Sequence, residues 1–221
     1  MEQSEKIAEH MSTYETVIIM ANLAGKSGAA LAPVVSSICK EQNKNVLSFA
    51  IMPFKFEKNR IFQSGISLKR LKMNSDSTII IDNDAILDSN PDFTTERCYD
   101  VTNNAIKCLV TSIKSSSLTD DTNIMSTSRS TENIEDSVKD SIKMLYEDAP
   151  PNSIKRSMLY VYGADKIPVG VINSISNILG GIFDEKNSQV DMSTSGNTNV
   201  VLLSAIAGET RFDKYDPLGM I

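Results

Sequence analysis

Three short apolar runs, separated by stretches of helical periodicity, constrain this chain more than any other feature. They are Thr16–Ala21 (TVIIMA), Val46–Met52 and Thr78–Ile81. Runs of this length without polar alternation suit strands buried on both faces of a parallel sheet. Between the first two, residues 29–42 place Ala32, Val35, Ser36 and Cys39 at helical spacing. Pro33 falls near the first turn, where its missing N–H costs little. Between the second and third, residues 59–73 carry Ile61, Ile66, Leu68 and Leu71 along one face. This β-α-β-α-β alternation predicts parallel strands joined by right-handed crossovers.

Ahead of these runs, residues 4–13 read as a short polar helix. Beyond them, residues 94–114 form a long helix with Cys98, Val101, Ala105, Cys108, Leu109 and Ser112 on one face. Residues 115–131 are rich in Ser, Thr and Asp and read as a linker. A capped helix over 131–147 follows and is broken at Ala149-Pro150-Pro151-Asn152. Then come a strand over 157–162 and a helix over 168–183, with Gly180-Gly181 marking its frayed end. Strands over 189–193 and 200–207 are joined by the turn Ser195-Gly196-Asn197. The tail 211–221 ends in apolar residues that either dock on a partner or fold back on the chain.

Composition narrows the function. A net charge of −6 with no Lys/Arg cluster excludes an ordinary nucleic-acid binder. Cys39, Cys98 and Cys108 are odd in number and lack CxxC spacing, which points to buried thiols in a reducing, cytoplasmic setting. No apolar run reaches the roughly 18 residues of a membrane span, and the first residues are too polar for a secretory signal. His10 is the only histidine. A multi-histidine metal site is therefore excluded, and any His-based triad would have to use a residue that reads as a solvated helix position.

The loop from Ala21 to Pro33 follows a strand and opens a helix. Its small residues would let backbone N–H groups approach a phosphate at a helix N-terminus. Gly25-Lys26-Ser27 imitates the end of a P-loop, but that motif needs a glycine where Met20 stands, inside the first strand. Two further segments follow the second and third strands: Met52-Pro53-Phe54-Lys55-Phe56-Glu57, and Ile81-Asp82-Asn83-Asp84-Ala85-Ile86-Leu87. Together with the Ala21–Pro33 loop they resemble the FtsZ/tubulin family of cytoskeletal GTPases.

The resemblance implies a nucleotide site for GTP or GDP formed by Gly25, Lys26, Ser27, Gly28, Glu57, Arg60, Asn83 and Asn103. Glu57 would take the place of the ribose-contacting acid, Arg60 the basic residue that follows it, and Asn103 the asparagine that reads guanine. Asn22, Ala24, Lys26, Ala29, Ala30 and Leu31 depart from the family's glycine-rich loop. Each lost glycine removes a residue that tolerates close approach and positive φ. The stretch matching the family's catalytic loop, residues 115–123, holds Asp120 and Asp121 but not its N-x-D-x-x-D pattern, so no catalytic residue and no metal ligand is assigned.

The resemblance also implies an α/β fold: a three-stranded parallel remnant of the family's nucleotide-binding sheet (1–92), a central helix (93–116), a smaller mixed α/β domain (117–210) and a tail (211–221). About the first half of the family's nucleotide domain would precede the point where this chain starts, leaving Thr16–Ala21 as an exposed edge. That edge would pair with a second copy or with another FtsZ/tubulin-like protein. The expected function is a divergent cytoskeletal or cell-division protein, an interaction module with weakened or lost GTP binding. The alternatives are an active GTPase that completes its site by oligomerisation and a P-loop-like nucleotide-binding enzyme.

Overall fold

The computed structural model describes residues 2–113, 122–128, 133–184, 186–194 and 197–216. In chain order they form α1 (Glu2–Met11), β1 (Thr16–Asn22), α2 (Lys26–Glu41), β2 (Asn45–Met52), α3 (Lys58–Asn74), β3 (Ser77–Asp82), α4 (Asn83–Ser89), α5 (Thr95–Ser112), β4 (Thr122–Thr127), α6 (Ile134–Asp148), β5 (Ile154–Tyr162), α7 (Val169–Phe183), β6 (Ser188–Ser193) and β7 (Asn199–Ile206). The strands make one seven-stranded sheet in the order β1-β2-β3-β4-β7-β5-β6.

This corrects the expectation of a three-stranded remnant. The sheet continues through β4, which lies in the stretch read as a linker. Asn123, Ser126 and Thr127 are buried rather than solvated. Asn123 Nδ2 donates to Ser77 Oγ at 3.0 Å, and Thr127 Oγ1 donates to the Val200 carbonyl at 2.7 Å. Polar side chains can line a buried strand when neighbouring groups satisfy them. The proposed linker's remaining residues, Asp120 and Asp121 among them, lie outside those described.

The chain divides into two compact units. The first holds the described residues through Ile81, with Thr122, Asn123 and residues 211–216. Here β1 and β2 run parallel in the register Thr16↔Asn45 to Asn22↔Ile51, and α2 and α3 pack together. The start of β2 is pinned by Asp76, whose carboxylate accepts the Val46 N–H at 2.7 Å and the Lys40 ammonium at 2.6 Å. Burial alone would push this carboxyl up; those two donors hold it below the usual carboxylate range. A 3₁₀ turn, Arg211–Tyr215, lies on α3 with Phe212 buried. It is fixed by Lys69–Asp216 (2.8 Å) and Lys72–Asp213 (3.5 Å). Gly65 makes room for it: a Cβ there would stand 2.7 Å from the Tyr215 backbone. Residues 211–216 thus fold back on the chain, while 217–221 lie outside the described residues.

The second unit holds Asp82–Ile113 and the described residues from Ile124 to Thr210. β5 pairs antiparallel with β7 and parallel with β6. α6 packs on β7 and α7 on β6. α6 starts where sequence signals place it, with Asn133 Oδ1 accepting the Glu135 N–H and two acids in the first turn. α7 runs unbroken through Gly180-Gly181 to Phe183, so those glycines do not fray its end.

Candidate functional site

At the carboxyl end of β1 the chain turns within three residues into α2. Asn22 organises this turn: its Oδ1 accepts the Ala24 N–H (2.9 Å) and its carbonyl accepts the Gly25 N–H (3.1 Å). An Asn that bonds to the backbone two residues on is a side-chain mimic of a turn. Gly28 crosses directly over Asn22, where a Cβ would stand 2.2 Å from the Asn22 carbonyl oxygen. This glycine is required by the chain's own crossing.

α2 begins at Lys26 behind Gly25, with no side-chain cap and no acid in its first turn. The amides of Lys26, Ser27 and Gly28 find no acceptor in the described chain. An uncapped N-terminus of this kind carries orphan donors and positive partial charge. Beside it lies a cavity of about 220 Å³ whose wall includes Gly25, Lys26, Arg60 and Gln63. The fold therefore gathers Gly25, Lys26 and Arg60 at one cavity, with Ser27 and Gly28 on the same helical turn. Two cations and three free amides suit a phosphate-sized anion.

Glu57 is occupied locally. Its Oε2 accepts the Phe54 N–H at 3.0 Å, and its own N–H donates to the Phe54 carbonyl at 2.9 Å. Phe54 stacks on the exposed Phe56 ring at 5.0 Å.

The other two site residues belong to the second unit. Asp82 caps α4 by accepting the N–H groups of Asp84 (3.1 Å) and Ala85 (3.0 Å), which places Asn83 in the first turn. Asn83 is wholly buried. Its Oδ1 accepts the Thr102 hydroxyl at 2.8 Å, and its Nδ2 is without a partner. Burial, and after it the neighbouring Asp84 charge, push the Cys98 thiol up. Asn103 stands exposed on α5. Asn22 and Thr102 were absent from the sequence-derived set. For Asn22 the signal was available, since an Asn two residues before a small-residue loop favours an Asx turn.

A parallel β1–β2 pair with an uncapped helix N-terminus at the carboxyl end of β1 defines an α/β arrangement. Comparison with known proteins narrows the class. Residues 1–91 match the family model described as Tubulin/FtsZ family, GTPase domain. Over 95 residues the chain is 33% identical to cell division protein FtsZ 2 of Halobacterium salinarum, covering 43% of this chain and 24% of that protein. Over 87 residues it is 36% identical to FtsZ of Aquifex aeolicus, covering 39% and 24%. The chain thus matches about a quarter of the length of these curated relatives. The fold is similar to that of M. jannaschii FtsZ, solved as an empty dimer, with a TM-score of 0.72, 20% identity, and coverage of 93% of this chain and 67% of that one. It is equally similar to CetZ from Methanosaeta thermophila, with a TM-score of 0.72, 13% identity and coverage of 98% and 70%. Residues 1–91 are thus similar to the GTPase domain of the Tubulin/FtsZ family, and the fold is similar to that of solved FtsZ and CetZ proteins. Solved relatives include a GTPγS-bound protofilament of CetZ2 from Haloferax volcanii, TM-score 0.64 at 16% identity, covering 98% of this chain and 75% of that one.

Proposed function

We propose that this chain is a cytoplasmic, divergent cytoskeletal or cell-division protein that acts as an interaction module with weakened GTP binding. The observation that carries this reading is Asn22. Its side chain and carbonyl consume the Ala24 and Gly25 amides, two donors that a phosphate-cradling loop would turn outward. Glu57 is likewise engaged with Phe54. Interaction is supported by β1, a terminal strand of the sheet without a charged residue. Ile18 and Met20 stand 43% and 52% exposed on its open face. Apolar, uncharged edges invite pairing with another chain. The partner is a second copy or another FtsZ/tubulin-like protein, joined along Thr16–Ala21.

A second reading, a GTPase that completes its site by oligomerisation, is favoured by the orphan Asn83 Nδ2 and by Lys26 and Arg60 beside the free amides of α2. Titration with a fluorescent GTP analogue separates the two. The isolated chain is expected to show no saturable micromolar binding. Micromolar binding with guanine preference, lost in Lys26→Ala, would establish the second reading instead.

A further inference from the structure

Arg97, Val101, Asn104 and Cys108 fall on one face of α5 and wall a cavity of about 550 Å³, all within the second unit. Lys107 lies toward its far end. At 1.5 Å per residue, Arg97 and Lys107 start about 15 Å apart. The opposite wall is Tyr162, at the end of β5, with the segment leading into β7. That wall is built by close backbone approach: Gly163 is left-handed (φ 66°), and a Cβ there would stand 2.9 Å from the Thr198 nitrogen. The volume is ordinary for a small-molecule site.

The chemistry of the lining is uneven in a chain of net charge −6. Among the described residues no carboxylate lines the cavity. Neither Arg97 nor Lys107 makes an ion pair among the described residues; Arg97 lies only over the Phe93 ring, 5.9 Å from its centroid. Tyr162 is 3% exposed, and its hydroxyl is without a hydrogen-bond partner. The Ser112 side chain lies near it. A buried polar hydroxyl normally finds an acceptor.

We propose that this cavity binds an elongated organic anion. Its carboxylate or phosphate ends would sit at Arg97 and Lys107, and an oxygen along its length would accept the Tyr162 O–H.

The half-buried Cys108 thiol in the same wall reports on occupancy, while the buried Cys39 and Cys98 report on the fold. The full chain is alkylated with anionic iodoacetate and, separately, with neutral iodoacetamide at matched ionic strength. The iodoacetate-to-iodoacetamide ratio at Cys108 is expected to fall about fivefold in the double variant Arg97→Ala, Lys107→Ala, with Cys39 and Cys98 still protected. Decanedioate is expected to shield Cys108 more strongly than the same charge concentration of acetate, and Tyr162→Phe to abolish that difference without exposing Cys39 or Cys98. An unchanged alkylation ratio in the double variant overturns the proposal. So does equal shielding by decanedioate and acetate in the wild-type chain. If the double variant exposes Cys39 and Cys98, the charge-conserving Arg97→Lys is used, and its failure to weaken decanedioate shielding overturns the proposal as well.

Discussion

β1 and β3 share an apolar centre in sequence, TVIIMA against STIIID, and they meet opposite fates. Every residue of β3 is buried. In β1 burial alternates, and Thr16, Ile18 and Met20 face outward. β3 lies inside the sheet between β2 and β4, whereas β1 is its terminal strand. An apolar run therefore records that a strand prefers burial; whether both faces obtain it depends on neighbours supplied from elsewhere. The open face of β1 is the surface on which the proposed pairing rests.

The strongest test of that contrast is paired truncation. Ile80→Ala removes a fully buried side chain and should cost about 2–5 kcal/mol in urea denaturation. Ile18→Ala should change stability by less than about 0.5 kcal/mol. Comparable losses would mean that β1 is as enclosed as β3.

The exit from β1 is tight although its face is open. Gly28→Ala drives a Cβ to 2.2 Å from the Asn22 carbonyl oxygen, and backbone cannot move aside as a flexible side chain can. A loss of about 1–3 kcal/mol is expected. By contrast Gly181→Ala, which meets open space in α7, should gain about 0.5–1 kcal/mol by the helix preference for Ala. Retained stability in Gly28→Ala would show that the α2 entrance relaxes freely.

A small effect lies at the clamp on β2. The folded-state pKa of Asp76 is depressed, so its contribution is present above the unfolded carboxylate pKa and is lost as pH falls through the folded one. Its partner Lys40 is about half exposed, which limits the pair to about 1 kcal/mol or less. Asp76→Asn should remove that share of the acid-side decline in stability. An unchanged acid limb in the variant would show that the clamp contributes nothing.

Periodicity made β1 to β3, α2, α3 and α5 legible, because each repeats apolar residues at its own spacing. β4 was not, because four of the six residues of Thr122-Asn123-Ile124-Met125-Ser126-Thr127 are polar and its burial depends on acceptors and donors in distant residues such as Ser77 and Val200. α4 was missed because it is only seven residues long; the Asp82 cap that starts it is visible in sequence only after its hydrogen bonds are known. At the candidate site, Gly25 and Lys26 were legible as one strand-to-helix loop, whereas Arg60, on α3, came only from the family resemblance. The engagement of Glu57 with Phe54 depends on local torsions, which residue identity does not specify; that of Asn22 with the following amides had a signal in the Asx-turn preference of Asn.

The account stands most directly on what happens at the β1 edge. Sedimentation velocity over a wide concentration range, for the chain alone and mixed with an FtsZ-family protein, compares the wild type with the double variant Ile18→Lys, Met20→Lys. The account predicts concentration-dependent association of the wild type in one of these mixtures and its loss in a variant that remains folded. A wild-type chain that stays monomeric throughout, or a variant that associates equally well, would contradict it.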